Sequence, residues 1–133
     1  MARVLVDAEN YRIEYDHESG ALLHIWTEYT SGQEFRDGCN ELLDVIKEEN
    51  ATKLIVDTSE IKAHDTEDKQ WLQEEWMPRE IEAGIEYSAS VPSADSSISK
   101  METEKLVDQA TDLPMTYVMA ESLAEAREWI ADQ

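Results

Sequence analysis

The stretch LIVDTSEIKAHDTEDKQW, Leu54 to Trp71, decides the fold. It opens on a continuous apolar run, Leu54-Ile55-Val56, the mark of a strand covered on both faces. Asp57 ends the run and small polar residues follow. Asp65 or Thr66 is a good N-cap, and Glu67 and Asp68 would stand at the positive end of the helix that starts there. A buried strand that feeds a helix through a short polar loop is the building unit of an α/β fold. In such sheets, ligand sites gather where strand ends hand over to helices. Thr58, Ser59 and His64 are therefore candidate ligand- or partner-binding residues, and any pocket is expected between the following helix and the sheet, near the Thr58–Asp65 loop.

Upstream, Val4 to Asp16 reads as one extended segment, with Tyr11, Ile13 and Tyr15 alternating against Arg12 and Glu14. His17-Glu18-Ser19-Gly20 carries turn chemistry, and Ala21 to Glu28 is a second strand, so the two make an N-terminal hairpin. His24 is out of phase with Leu23 and Ile25 and faces the other side. Ser31-Gly32-Gln33-Glu34 has the pattern of a capping box. Phe35, Cys39, Leu42, Leu43 and Ile46 then fall on one helical face.

Downstream, Trp71, Leu72 and Trp76 give the next helix an apolar face. Pro78 inside it predicts a kink or a new first turn, and Gly84 a stop. Ile85–Val91 and Met115–Met119 read as strands, with a polar, partly helical segment between them. Ser122-Leu123-Ala124-Glu125 is a second capping box, opening a terminal helix with Leu123, Ala126, Trp129 and Ile130. The predicted order is β-β-α-β-α-β-α-β-α: one α/β domain over residues 1–133, with a mixed sheet, packed helices and right-handed parallel crossovers.

Composition narrows the function. The 133 residues suit one core. Eleven Lys and Arg against 31 Asp and Glu give a net charge of −20, which opposes binding to duplex DNA and to anionic membranes. The acids are spread along the chain, a pattern that favours adaptation to a salty medium over a dedicated acidic binding face. No apolar run approaches the roughly 20 residues that span a bilayer, and from Met1-Ala2-Arg3-Val4, which lacks a basic stretch followed by an apolar core, no signal peptide is expected. Cys39 is the only cysteine and can form no internal disulfide, so the expected location is the cytoplasm.

Familiar site chemistries are missing. Cys39, His17, His24 and His64 share no metal-ligand spacing, and no calcium loop is present. Neither GxxxxGK[ST] nor GxGxxG occurs, so no nucleotide cofactor is expected. GxSxG is absent. Cys39 lies on an apolar helix face and reads as a buried thiol. His64-Asp65 with Ser59 holds the residue types of a triad, but neighbours in sequence rarely face one another, and cap plus turn accounts for them. Trp71 and Trp76 stand five apart, off a single helical stripe; one reads as core and the other as the rim of a pocket or interface. The string Glu74-Glu75-Trp76-Met77-Pro78-Arg79 suits an apolar groove or a dimer surface.

The segments YRIEYD…GALLHIWT, LIVDTS, WLQEEWMPR…AG and SLAEAREWI, in this order over residues 9–131, resemble the SpoIIAA-like proteins. These are related in fold to STAS anti-sigma-factor antagonists and to CRAL-TRIO lipid-transfer domains. The resemblance implies a mixed sheet with packed helices and no established enzymatic activity. In the antagonists, an Asp-Ser-Ser-Gly segment after the matching strand carries a phosphorylated serine. Here that place is held by Lys62-Ala63-His64-Asp65-Thr66, without serine or glycine. Thr66 is the remaining hydroxyl at the helix start, and Glu67 and Asp68 would repel a phosphate there.

The expected function is thus a non-enzymatic, cytoplasmic, SpoIIAA-like regulatory domain that binds a partner protein or a small apolar, lipid-like ligand. Thr58, Ser59, His64, Trp71, Trp76 and Met77 are its expected binding residues, and a second copy of the chain is one partner they suit. Two alternatives stand beside it: a phospho-regulated antagonist modified at Thr66 or Ser59, and a small enzyme using His64 with a carboxylate as acid and base.

Overall fold

The computed structural model describes residues 2–61 and 63–133; Lys62, part of the segment compared with Asp-Ser-Ser-Gly, lies outside them. Six strands form one mixed sheet in sequence order: β1 (Ala2–Asp7), β2 (Tyr11–Asp16), β3 (Ala21–Trp26), β4 (Lys53–Asp57), β5 (Tyr87–Val91) and β6 (Thr116–Met119). β1, β2 and β3 are antiparallel, and β3 through β6 run parallel. The chain is α/β with helices packed on this sheet.

The expected hairpin is a three-stranded meander. The segment Val4–Asp16 breaks at Glu9-Asn10, where Ala8 N–H donates to the Tyr11 carbonyl (3.0 Å) and reverses the chain. Thirteen residues of extended chain would outrun the six-residue β3 beside them. Folding back pairs both halves.

The parallel strands are joined by α1 (Gly32–Glu49), by α2 (Thr66–Trp71) continuing into α3 (Met77–Glu82), and by α4 (Ser97–Gln109); α5 (Leu123–Ala131) follows β6. Because the strands advance in one direction across the sheet, right-handed crossovers put all connecting helices on one face. α5 alone turns to the other. Two cores result. The larger holds Ile13, Leu22, Trp26 and Leu54 beneath Phe35, Leu42, Ile46, Trp76 and Met77. The smaller holds Leu23, Ile55, Ala89 and Val91 beneath Ala126 and Ile130. Burial on both faces explains the unbroken apolar run of β4. α1 lies so close to the sheet that a Cβ on Gly38 would stand 2.6 Å from Trp26 Cη2.

Helix caps differ from the sequence pattern. Ser31 precedes α1 but its side chain makes no cap; Gly32 N–H donates instead to Asp68 Oδ2 (3.0 Å), a buried carboxylate of α2. Asp68 thus ties two helix starts together, with Arg36 Nε 3.7 Å from Oδ1. At α5 the box is used: Ser122 Oγ accepts from Glu125 N–H (3.1 Å).

Between α2 and α3 the helix widens into a π turn, Leu72–Trp76, and Met77 N–H donates to the Leu72 carbonyl. Pro78 has no N–H for the Glu74 carbonyl, and its ring would clash there; the i→i−5 turn absorbs this without breaking the helix. In a π turn, residues five apart align. Trp71 and Trp76 therefore both face inward and both are buried in the larger core. Among the described residues, no helix is long and apolar enough to cross a membrane.

Candidate functional site

The opening stretch folds into a tied loop. Thr58 N–H and Oγ1–H both donate to the Val91 carbonyl (2.9 and 3.2 Å), pinning the exits of β4 and β5 together. Asp57 Oδ1 accepts from Ser59 N–H (2.9 Å), an Asx turn. Ile61 plugs the core at 1 % exposure. His64 N–H donates to Glu102 Oε1 of α4 (3.2 Å), and its ring centroid lies 5.2 Å from that of Phe35.

Behind this loop, between the sheet and α1 to α4, lies a cavity of about 70 Å³. Its floor is the helix-facing side of the sheet. Strand pairing sets His24, Val56 and Ser90 side by side, and Ser88 beside Tyr117 one step along. The space exists because β5, Tyr-Ser-Ala-Ser-Val, turns two small hydroxyls to this side and Ala89 and Val91 to the other. Overhead stand Phe35 and Cys39 of α1, Leu72, Trp76, Met77 and Glu80 of the α2–α3 helix, and Thr103 and Leu106 of α4. Lys69, Glu102 and Leu106 border both the cavity and an outer groove between α2 and α4. Lys69 Nζ and Glu102 Oε2, 3.0 Å apart, close that edge.

The polar groups of the wall divide in two. Some are satisfied: Trp76 Nε1–H donates to the Cys39 carbonyl (3.0 Å), Thr103 Oγ1–H to the Ser99 carbonyl (3.0 Å), and the Ser90 and Tyr117 hydroxyls bond each other (2.6 Å). Others are not. His24 Nε2, His64 Nδ1 and Glu80 Oε1 are buried and have no partner among the described residues. Buried polar groups in folded proteins are nearly always bonded, so three such atoms around one cavity mark it out.

Desolvation dominates the electrostatics. Burial drives the His24 imidazole down to about 3, so it is neutral. Burial lowers His64 too, against the carboxylates of Glu102, Asp68 and Asp65. Burial lifts the Glu80 carboxyl to about 8 despite a hydrogen bond from Ser88, so it holds its proton at neutral pH. Burial raises the Tyr117 phenol to about 12, and burial with the charges of Glu80 and Asp68 raises the Cys39 thiol well above its usual value. The wall is largely uncharged.

Of the residues expected from sequence, Thr58, His64, Trp76 and Met77 line this cavity. Ser59 sits in the Asx turn and does not. Trp71 packs on Phe35, with the Arg36 guanidinium 5.6 Å above its ring. Thr66 is exposed on the outer groove. Sequence reasoning passed over His24, Glu80, Ser88, Ser90, Glu102 and Tyr117. A signal existed for three of them: Glu80 follows Trp76 by four residues on the apolar face, and Ser88 and Ser90 share one side of an otherwise apolar strand. Among the described residues, no three His, Cys, Asp or Glu are arranged to hold a metal ion.

The chain matches no protein-family model, no curated protein and no solved structure.

Proposed function

We propose that this chain is a small-molecule-binding domain that holds a compact, largely apolar ligand in the cavity between its sheet and its helical layer. The observation that carries this reading is the set of buried, unpartnered polar atoms, His24 Nε2, His64 Nδ1 and Glu80 Oε1, around an otherwise aromatic and aliphatic wall. Small-molecule sites combine these two things: apolar enclosure for affinity and a few polar groups for orientation. Thr58 and His64, from the loop after β4, line the cavity, and α/β folds bind ligands beyond the carboxyl ends of their strands. Its volume suits on the order of five water-sized groups rather than a long acyl chain.

Binding fits this wall better than catalysis. Cys39 and Tyr117 are held in their protonated forms, the opposite of activated nucleophiles. The resemblance to SpoIIAA-like proteins supports the same reading, because related folds carry apolar molecules. Saturation-transfer NMR with small neutral fragments tests it. Fragments are expected to bind the wild-type chain and to lose binding in Val56→Phe, which fills the floor of the cavity while circular dichroism stays unchanged. Equal binding by Val56→Phe, or none by the wild type, sinks the reading.

A further inference from the structure

The unpartnered atoms on the cavity wall have one chemistry in common. Glu80 Oε1, His24 Nε2 and His64 Nδ1 can all accept a hydrogen bond. Glu80 and His24 are each 1 % exposed. Several neighbouring donors are already committed: Trp76 to Cys39, Thr58 to Val91, Thr103 to Ser99. Lys69, the cationic side chain among the described lining residues, is engaged by Glu102. Among the described residues of the wall, an ionised Glu80 therefore has no counter-ion. Trp26, Phe35 and Trp76 add ring surfaces of the kind that attract cations. The chain as a whole carries −20, which draws cations and repels anions.

We infer that the ligand is a compact primary alkylammonium ion, held with Glu80 as its carboxylate counter-ion. This rests on the cavity being a binding site. The ammonium supplies an N–H donor for Glu80 Oε1, and its charge pairs with the carboxylate that forms when Glu80 gives up its proton. Its alkyl body lies against the aromatic wall. An alcohol brings fewer donors and no charge; a carboxylate ligand meets repulsion.

The proton balance follows. Without ligand, Glu80 is protonated at pH 7, because its carboxyl titrates near 8. An alkylammonium, like a lysine side chain, titrates near 10.4. Forming the pair at pH 7 sends the Glu80 proton to solvent while the ammonium keeps its own. The titratable groups facing Glu80 are Cys39 of α1 and Tyr117 of β6, both shifted upward. His24 of β3 and His64 of the loop are both shifted downward. Ser88 of β5 donates to the carboxyl, and Lys69 and Glu102 pair with each other. Glu80 is the wall group placed to change charge between pH 7 and pH 9.

Isothermal titration of the full chain tests this with four probes: isobutylamine, isobutanol, isobutyrate and tetramethylammonium. Each is run in two buffers of different ionisation heat. Isobutylamine is expected to bind with release of close to one proton at pH 7 and about tenfold more tightly at pH 9. Isobutanol and isobutyrate are expected to bind at least about tenfold more weakly. Glu80→Gln should lose the preference for the amine and the proton release. Isobutanol binding as tightly as isobutylamine, or amine binding without proton release, overturns the ammonium inference and leaves the cavity reading standing. Tetramethylammonium binding as tightly as isobutylamine overturns hydrogen bonding to the carboxylate. Silence from all four probes overturns both readings. The proton count is read on the wild-type chain and does not depend on the folding of the variant.

Discussion

Glu80 is a carboxyl in a place that suits a leucine: inside the apolar stripe of a helix, fully covered, bonded by Ser88, with Oε1 unpartnered among the described residues. Its effect on stability has a definite sign. The carboxyl titrates near 8 in the folded chain against an ordinary value near 4.5. The folded state thus binds the proton more tightly than the unfolded one, and this contribution to stability is full below pH 4.5 and lost as pH rises to 8. Wild type measured against Glu80→Gln isolates it, because the histidines act alike in both. From pH 5 to pH 8 the wild type should lose on the order of 3 kcal/mol relative to the variant in urea unfolding. A constant difference across that range contradicts a buried, protonated Glu80.

Elements meet in this fold through a few side chains that local pattern does not announce. Asp68 reads as an ordinary acid in the first turn of α2 and caps α1 instead. Arg127 of α5 grips Asp16, a β2 carboxylate at 0 % exposure, through Nε (2.9 Å) and Nη2 (3.1 Å). Burial pushes the Asp16 carboxyl up, but hydrogen bonds from Ser19 and Arg127 and the Arg127 charge outweigh it and hold it below the ordinary range. This contribution is present at neutral pH and lost as pH falls through the folded-state value. Arg127→Met should cost about 2 kcal/mol at pH 7, between the values for exposed and for buried pairs, because Asp16 is buried and the arginine partly exposed. The deficit should narrow toward pH 3, where protonation removes the unpaired charge. Thermal unfolding at pH 7 and pH 3 checks both parts; a deficit that stays constant with pH would place Arg127 in packing alone.

At the scale of the whole molecule, the charge of −20 acts on stability rather than on fold. Carboxylates spread over the surface repel one another, and salt shortens the reach of that repulsion from about 10 Å at 0.1 M to about 3 Å at 1 M. The melting temperature should therefore rise between 0.05 and 1 M sodium chloride, and equally in potassium chloride. A flat or falling profile would remove the reading of the acids as adaptation to salt. The charge also bears on the cavity, since it enriches cations near a wall whose one cation among the described residues, Lys69, is already paired with Glu102.

Local pattern was enough for the α/β order. Unbroken apolar runs at Leu54–Val56, helical spacing from Phe35 to Ile46 and the Ser122 box each report on a few neighbouring residues, and short-range backbone preference decides them. The split of Val4–Asp16 depended on pairing partners, and the alignment of Trp71 with Trp76 depended on how Pro78 is accommodated in three dimensions. The site was legible in part. The loop after β4 pointed to Thr58 and His64, and the string Glu74–Arg79 drew the eye to Trp76 and Met77, ending one residue short of Glu80. What makes Glu80, His24, Ser88 and Ser90 into one site is that β3, β5 and α3, more than 60 residues apart in the chain at the extremes, close over the same space. A sequence carries a carboxyl; only the tertiary structure removes the water around it, and desolvation is what sets its charge.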